Sequence, residues 1–216
     1  MINQRNAQIS TTAAILSRDH AFQTAFAEAE QDRATTLSAL ENLRGRIKAD
    51  VVLIASMENK LLFDTRHPEL GGTPFPFPKM IEKAETSGTV DSFVILDGEL
   101  FAMAITPLLA PDPIAWLCPG FRIDESFARE IQGDANLEIT FLDGRGLFAT
   151  SFGEQKRKAL ISILQKRALV ANKIVDLSVE GERFVKLRRS ACNRKRQGHC
   201  ASAKVAQQRV GALSPP

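Results

Sequence analysis

The stretch VVLIASMENKLLFDTRHPELGGTPFPFPKMIEKAETSGTVDSFVILDGELFAMAITPLLAPDPIAWLCPGFRI, residues 51–123, decides the fold. It opens on two apolar runs, VVLIAS and LLFDT, separated by the polar MENK, so residues 51–65 read as a β-hairpin around Glu58 and Asn59. The HPELGGTPFPFP that follows holds four prolines and two glycines. Proline lacks the N–H that the interior of a helix or sheet requires, so this segment has to cross a face of the domain. Pro78 suits the first turn of a helix, PKMIEKAETSG, which Gly88 closes. Asp97-Gly98 joins DSFVIL to ELFAMAIT, and such a pair tolerates the positive backbone angles of a two-residue hairpin turn. With those two residues in the loop, Ser92, Val94, Phe101 and Met103 share one face of the sheet. Phe93, Ile95, Ala102 and Ala104 share the other, a flatter face suited to close packing of a helix. After the turn APDP, the run IAWLCPGFRI reads as a further strand.

On the N-terminal side, residues 2–48 are helix formers without proline. Ile9, Ala13, Leu16, Phe22 and Phe26, then Leu37, Leu40, Leu43 and Ile47, recur at helical spacing. One long helix is expected over residues 1–50, or two with a joint near Asp32-Arg33-Ala34-Thr35, where Asp32 can cap the second. Its apolar stripe either lies on the domain or forms the seam of a dimer. On the C-terminal side a second cycle begins: a short acidic-capped helix, ESFAREIQ; a hairpin, NLEITFLDGRGLFATSF; a helix, EQKRKALISILQKRALVANK; and a hairpin around Glu180-Gly181. The repeated order suggests two related small α/β units after one long helix. The fold class expected is α+β.

Composition excludes several classes. The chain has 216 residues, 44% of them hydrophobic and 25% charged, which is ordinary globular material with a real core. Its net charge is +3, and the basic excess gathers after Lys186, where no Asp or Glu appears, so no whole-chain affinity for nucleic acid is expected. Cys118, Cys192 and Cys200 are an odd count in no redox or metal-ligand spacing, and Cys118 reads as a core thiol. His20, His67 and His199 are scattered, so no metal is expected. The glycines of DGRG and of Gly71-Gly72 are turns, outside any phosphate-binding context. Asp64 and Glu69 would form a carboxylate pair only by folding together, and near a turn such groups are ordinarily solvated or capping. No catalytic residues and no cofactor are expected. No apolar run is long enough to span a bilayer, and the start MINQRNAQ has no signal-peptide core, so the chain as written is expected to be soluble.

The run SRDHAFQTAFAEAEQDRATTLSALENLRGRIKADVVLIAS, the PFPFP crossing, VILDGELFAMAITPL and PIAWLCPGFRID together resemble the double Cache (double sensory, PAS-like) domains of bacterial membrane-bound sensor proteins. The resemblance covers about residues 9–187. It implies a membrane-distal PAS-like module at 51–123, a membrane-proximal one at 124–187, and a sensing function in place of catalysis. The intact relatives sit in the inner membrane facing the periplasm and pass a ligand signal to a diguanylate cyclase, phosphodiesterase or histidine kinase output. The implied partners are a small-molecule ligand and a second copy through the N-terminal helix, with no nucleic acid. PAS-like modules bind small molecules between the sheet and the segment crossing it. That places Arg66 beside the crossing to pair with a carboxylate ligand, Phe75 and Phe77 as walls, and Ser92 and Met103 as floor. The chain has no tyrosine, so the arginine- and tyrosine-bearing pattern by which many double Cache domains bind amino acids is absent.

Two alternatives stay open. One is a soluble, cytoplasmic PAS-like or profilin-like interaction protein that dimerises through its helix; the other is a nucleic-acid binder acting through the basic tail. Relative to the family, the chain lacks a first and a second transmembrane helix, so it reads as a fragment that would stay in the cytoplasm. Residues 188–216 carry no strand pattern, and the expectation is a disordered tail and a second module missing its last strand. That would expose a sheet edge beside Val179–Leu187. Reading the codons from Ser190 one nucleotide later permits RRATGKGKVTALLQKSLNKELAPYLR, which has an apolar strand and an amphipathic helix. The tail is therefore expected to be a frameshift product. The DNA around codon 190 tests this: an open shifted frame encoding that run is expected, and a closed one removes the idea.

Overall fold

The computed structural model describes residues 33–110, 112–132, 137–142, 147–166, 177–179, 182–188, 191–193, 200–201 and 204–209. Most of the long N-terminal helix expected from the sequence, including its joint at Asp32, therefore lies outside the described residues. What is described is helix α1 (Arg33–Ile47), which buries Thr36, Leu40 and Leu43 at helical spacing. Lys48 adopts a left-handed backbone angle, φ 54°, and the Ala49 N–H reaches back to the Arg44 carbonyl at 3.0 Å. This closes the helix and aims the chain into the sheet.

The first sheet contains β1 (Val51–Ala55), β2 (Leu61–Asp64), β3 (Val90–Leu96), β4 (Glu99–Leu109) and β5 (Pro113–Arg122). Between β2 and β3 lie a single 3-10 turn (Pro68–Leu70) and helix α2 (Pro78–Ser87). Gly88, just past the helix, takes φ 79° and donates its N–H to the Ala84 carbonyl at 2.7 Å, the ending expected from its position. The Asp97-Gly98 turn has φ 52° and 86°. Its register is the expected one: Ser92 faces Met103, Phe93 faces Ala102 and Val94 faces Phe101.

The chain then forms α3 (Glu125–Gln132), β6 (Leu137–Leu142), β7 (Leu147–Thr150) and α4 (Glu154–Lys166). After these come β8 (Leu177–Val179), β9 (Glu182–Arg188), β10 (Ala191–Asn193), β11 (Cys200–Ala201) and β12 (Lys204–Arg209). The first sheet runs β11-β10-β3-β4-β5-β1-β2 and the second runs β7-β6-β12-β9-β8. The fold is α+β, with mostly antiparallel sheets.

The tail departs from its expectation. Residues 191–193 add to β3 in parallel, and residues 204–209 fill the gap between β6 and β9 in antiparallel register. The edge expected to stand open beside Val179–Leu187 is thus paired, since β9 lies between β12 and β8. The physical reason is that an open ladder offers unpaired N–H and C=O groups, which a segment without proline can satisfy whatever its side-chain pattern.

Both faces of the first sheet are covered. On the front face, Val51, Leu53, Ala55, Val94, Leu96, Phe101, Met103, Ile105, Trp116 and Cys118 pack under Phe75 and Phe77 of the crossing and Met80, Ile81 and Ala84 of α2. On the back face, Val52, Ile54, Leu108, Ala115 and Leu117 receive Leu40 and Leu43 of α1. Further along that face, Phe93, Ile95, Ala102 and Ala104 receive Phe127, Ala128 and Ile131 of α3, together with Ile139, Phe141 and Ala149 of the second sheet. The alanine face expected to seat a helix does so, and α3 occupies it.

Asp124 starts α3. Its Oδ1 accepts the Phe127 N–H at 2.9 Å and the Ser126 hydroxyl at 2.6 Å. Partial burial alone would raise the pKa of this carboxyl, but the Ser126 hydroxyl, the Phe127 N–H and the Arg122 charge outweigh that and hold it below its ordinary value. A lowered folded-state pKa gives stability that is fully present above the ordinary aspartate range and lost as pH falls through the lowered value. Asp124→Ala is expected to cost about 1 kcal/mol at neutral pH. It should also flatten the acid limb of a melting-temperature profile against pH; an unchanged acid limb would contradict this assignment.

Candidate functional site

The front face beneath the crossing is the candidate site. The crossing is anchored through its backbone: Leu61 N–H donates to Thr73 O, Gly72 N–H to Leu61 O and Phe75 N–H to Asn59 O, at 2.7, 2.7 and 2.8 Å. Phe75 and Phe77 are thereby carried inward. Their rings meet edge to face at 5.8 Å, and both are buried. Met103 is buried in the same cluster, whereas Ser92, opposite it in register, is half-buried with only a weak 3.4 Å bond to the Phe93 carbonyl. Phe75, Phe77, Met103 and Ser92 therefore lie on one face, with Phe75, Phe77 and Met103 in one buried cluster.

Arg66 completes the set in a different state from the one expected. Its guanidinium lies 5.4 Å from the centre of the buried Phe101 ring, at the end of the front face, and pairs with Glu99 at 2.9 Å. Glu99 also receives Arg122 at 3.3 Å, and Arg122 reaches Asp124 at 3.8 Å. The Glu99 carboxylate raises the pKa of the Arg122 guanidinium above its ordinary value. Asp50 joins the same end by accepting the Arg122 backbone N–H at 2.7 Å. Arg66 is thus held over an aromatic ring within a chain of alternating charges, and a ligand carboxylate would have to compete with Glu99 for it.

Asp64 and Glu69 do not form a carboxylate pair. The buried Asp64 accepts the backbone N–H groups of Arg66 and His67 at 2.9 and 3.1 Å, a turn-capping role. Glu69 instead lies 3.3 Å from His67, whose other ring nitrogen is 3.1 Å from Asp97 at the β3–β4 turn. This links the start of the crossing to the hairpin beneath it. Among the described residues, no three His, Cys, Asp or Glu side chains gather as metal ligands.

Sequence reasoning missed the partners of Arg66 and two residues of β5. Trp116 and Gly120 alternate with Cys118, so all three point to the front face, a signal visible in the run IAWLCPGFRI. A Cβ at Gly120 would lie 2.7 Å from Val51 Cγ1 and 3.1 Å from the Met103 methyl. Trp116 is 3% exposed, and its indole Nε1 has no hydrogen-bond partner among the described residues. Burial of the Cys118 thiol pushes its pKa well up, which keeps it protonated and unreactive.

No protein-family profile and no curated protein matches the chain. Solved structures do match. The periplasmic domain of Vibrio cholerae LuxQ superposes with a TM-score of 0.56 at 11% identity, over 96% of this chain and 92% of that one. The sensor domain of the V. cholerae histidine kinase DctB gives 0.54 at 12% identity, over 97% and 92%. The sensory domain of the Campylobacter jejuni chemoreceptor Tlp3, with isoleucine bound, gives 0.54 at 12% identity, over 97% and 86%.

Gly120→Ala is expected to destabilise the protein by about 1–3 kcal/mol, because the added methyl meets Val51 and Met103 in a filled core. Chemical denaturation measures this; a wild-type midpoint would mean that the front face yields freely. Taken with the sheet order and the crossing, the superpositions show that this chain shares the fold of those three domains.

Proposed function

We propose that this chain is the extracytoplasmic small-molecule sensing region of a bacterial transmembrane signalling protein, built as a double Cache arrangement. Residues 51–123 are the membrane-distal module and 124–187 the membrane-proximal one. The observation that carries this reading is the front face itself, where a proline-rich crossing brings Phe75 and Phe77 down onto Met103 while Arg66 stands at the rim over Phe101. Such a site offers an apolar body for a ligand and a cation beside it. Two of the superposed structures are a sensor domain and a sensory domain, and the second has isoleucine bound.

No helix of the described residues is long and apolar enough to cross a membrane. In this reading the anchor and the output domain belong to the intact signalling protein, which would face the periplasm, and a second copy associates through the N-terminal helix. The ligand acts by shifting a conformational equilibrium. The core shared by β3, β4, α3, β6 and β7 supplies a mechanical route from the distal sheet to the proximal one.

Glu99 gives the reading a specific test. In a thermal-shift screen of small carboxylates and amino acids, a ligand at about a hundred times its Kd should add about 2.7 kcal/mol of stability. For an anionic ligand, Arg66→Ala should abolish the shift and Glu99→Gln should strengthen it by freeing the guanidinium. A flat screen, or an anionic ligand indifferent to both substitutions, would overturn the Arg66 end of the proposed site.

A further inference from the structure

At the end of the front face opposite Arg66, two buried polar atoms have no hydrogen-bond partner among the described residues: Trp116 Nε1, a donor, and Asn59 Oδ1, an acceptor. The strand register puts both residues at the same end of the first sheet. Trp116 pairs with Ala55 of β1, and Asn59 lies in the turn that begins at the next residue, Ser56. Phe75 ties the pair together, because its N–H donates to the Asn59 carbonyl at 2.8 Å while its ring packs in the same cluster as the indole.

Each atom is left over for a structural reason. Trp116 is flanked by Ala55 on one neighbouring strand and Pro107 on the other, neither of which carries a side-chain acceptor. Asn59 adopts a left-handed backbone angle, φ 62°, and spends its backbone groups on Ser56 and Phe75, while the turn is capped by the Ser56 hydroxyl. A buried unpaired donor or acceptor is costly enough that native proteins nearly always satisfy it. Here a donor and an acceptor stand unsatisfied at the same end of a sensor-type ligand face.

We infer that the end of the front face between Trp116 and the Ser56–Lys60 turn is a hydrogen-bonding subsite for a small neutral carboxamide-like group, whose carbonyl oxygen accepts from Trp116 Nε1 and whose N–H donates to Asn59 Oδ1. This rests on the reading of that face as the ligand site. Neutrality follows from the recognising atoms, both uncharged, while the neighbouring charged residues of the turn, Glu58 and Lys60, are exposed. A full charge buried against two neutral groups would lose far more solvation than they return. The subsite therefore discriminates against the carboxylate isostere of the same ligand.

Trp116 is the only tryptophan in the chain, so a nitrogen-15 correlation spectrum contains a single indole N–H resonance. Isobutyramide and its charged isostere isobutyrate are the probes, each titrated into the full chain. Isobutyramide is expected to move the indole proton downfield saturably, and isobutyrate to leave it in place. Asn59→Ala should weaken the isobutyramide response by about threefold to tenfold, the loss of one neutral hydrogen bond. Trp116→Phe should abolish its thermal shift; if that variant does not fold, the wild-type titration still decides. An indole resonance that isobutyramide does not move overturns the subsite, as does one that contacts only a buried water. A screened ligand that raises the melting temperature without moving the indole overturns the subsite but leaves the sensing function standing. A screen with no hit, beside a saturable isobutyramide response, would count against the Arg66 end alone.

Discussion

Phe141 of the second sheet meets two other rings, Phe93 of the first sheet at 5.9 Å and Phe127 of α3 at 6.1 Å, and much else in the structure depends on that junction. The three rings sit in one buried cluster with the flat alanine face of β4. Each fully buried side chain of this kind contributes about 1.5–3 kcal/mol relative to exposure, so the cluster is the main link between the two sheets. It also explains why the back face of the first sheet carries Ala102 and Ala104: a larger residue at either position would hold α3 and the second sheet away.

The front face is built on a different principle. A proline-rich segment cannot join the ladder, so it is fastened at a few backbone points and inserts its phenylalanines from above. The interior it covers is divided. One end holds a relay of charges, from Arg66 through Glu99 and Arg122 to Asp124, that also reaches the cap of α3. The other end holds neutral polar atoms. This asymmetry, on either side of an aromatic middle, gives the face two chemically distinct ends.

Much of this was legible in the sequence, because it follows from local chemistry. The Asp97-Gly98 turn set the β3–β4 register, and the register assigned every residue of that hairpin to a face. Pro78 and Gly88 bounded α2, and the clustered prolines marked the crossing. The pairing of Arg66 with Glu99 was not legible, since those residues are 33 positions apart and follow or begin strands, β2 and β4, that are separated in the sheet by β1 and β5. Nor was the fate of the tail, where an irregular side-chain pattern masked a backbone able to complete two ladders.

What the sequence determined by itself was the class and order of elements, the hairpin registers and the set of residues lining the front face, because alternation, turn chemistry and proline act within a few residues. Only the tertiary structure decided which charges neutralise one another, which polar groups are buried without a partner and where the last strands insert. Those outcomes depend on distances between segments remote in the chain, and no local pattern encodes such a distance.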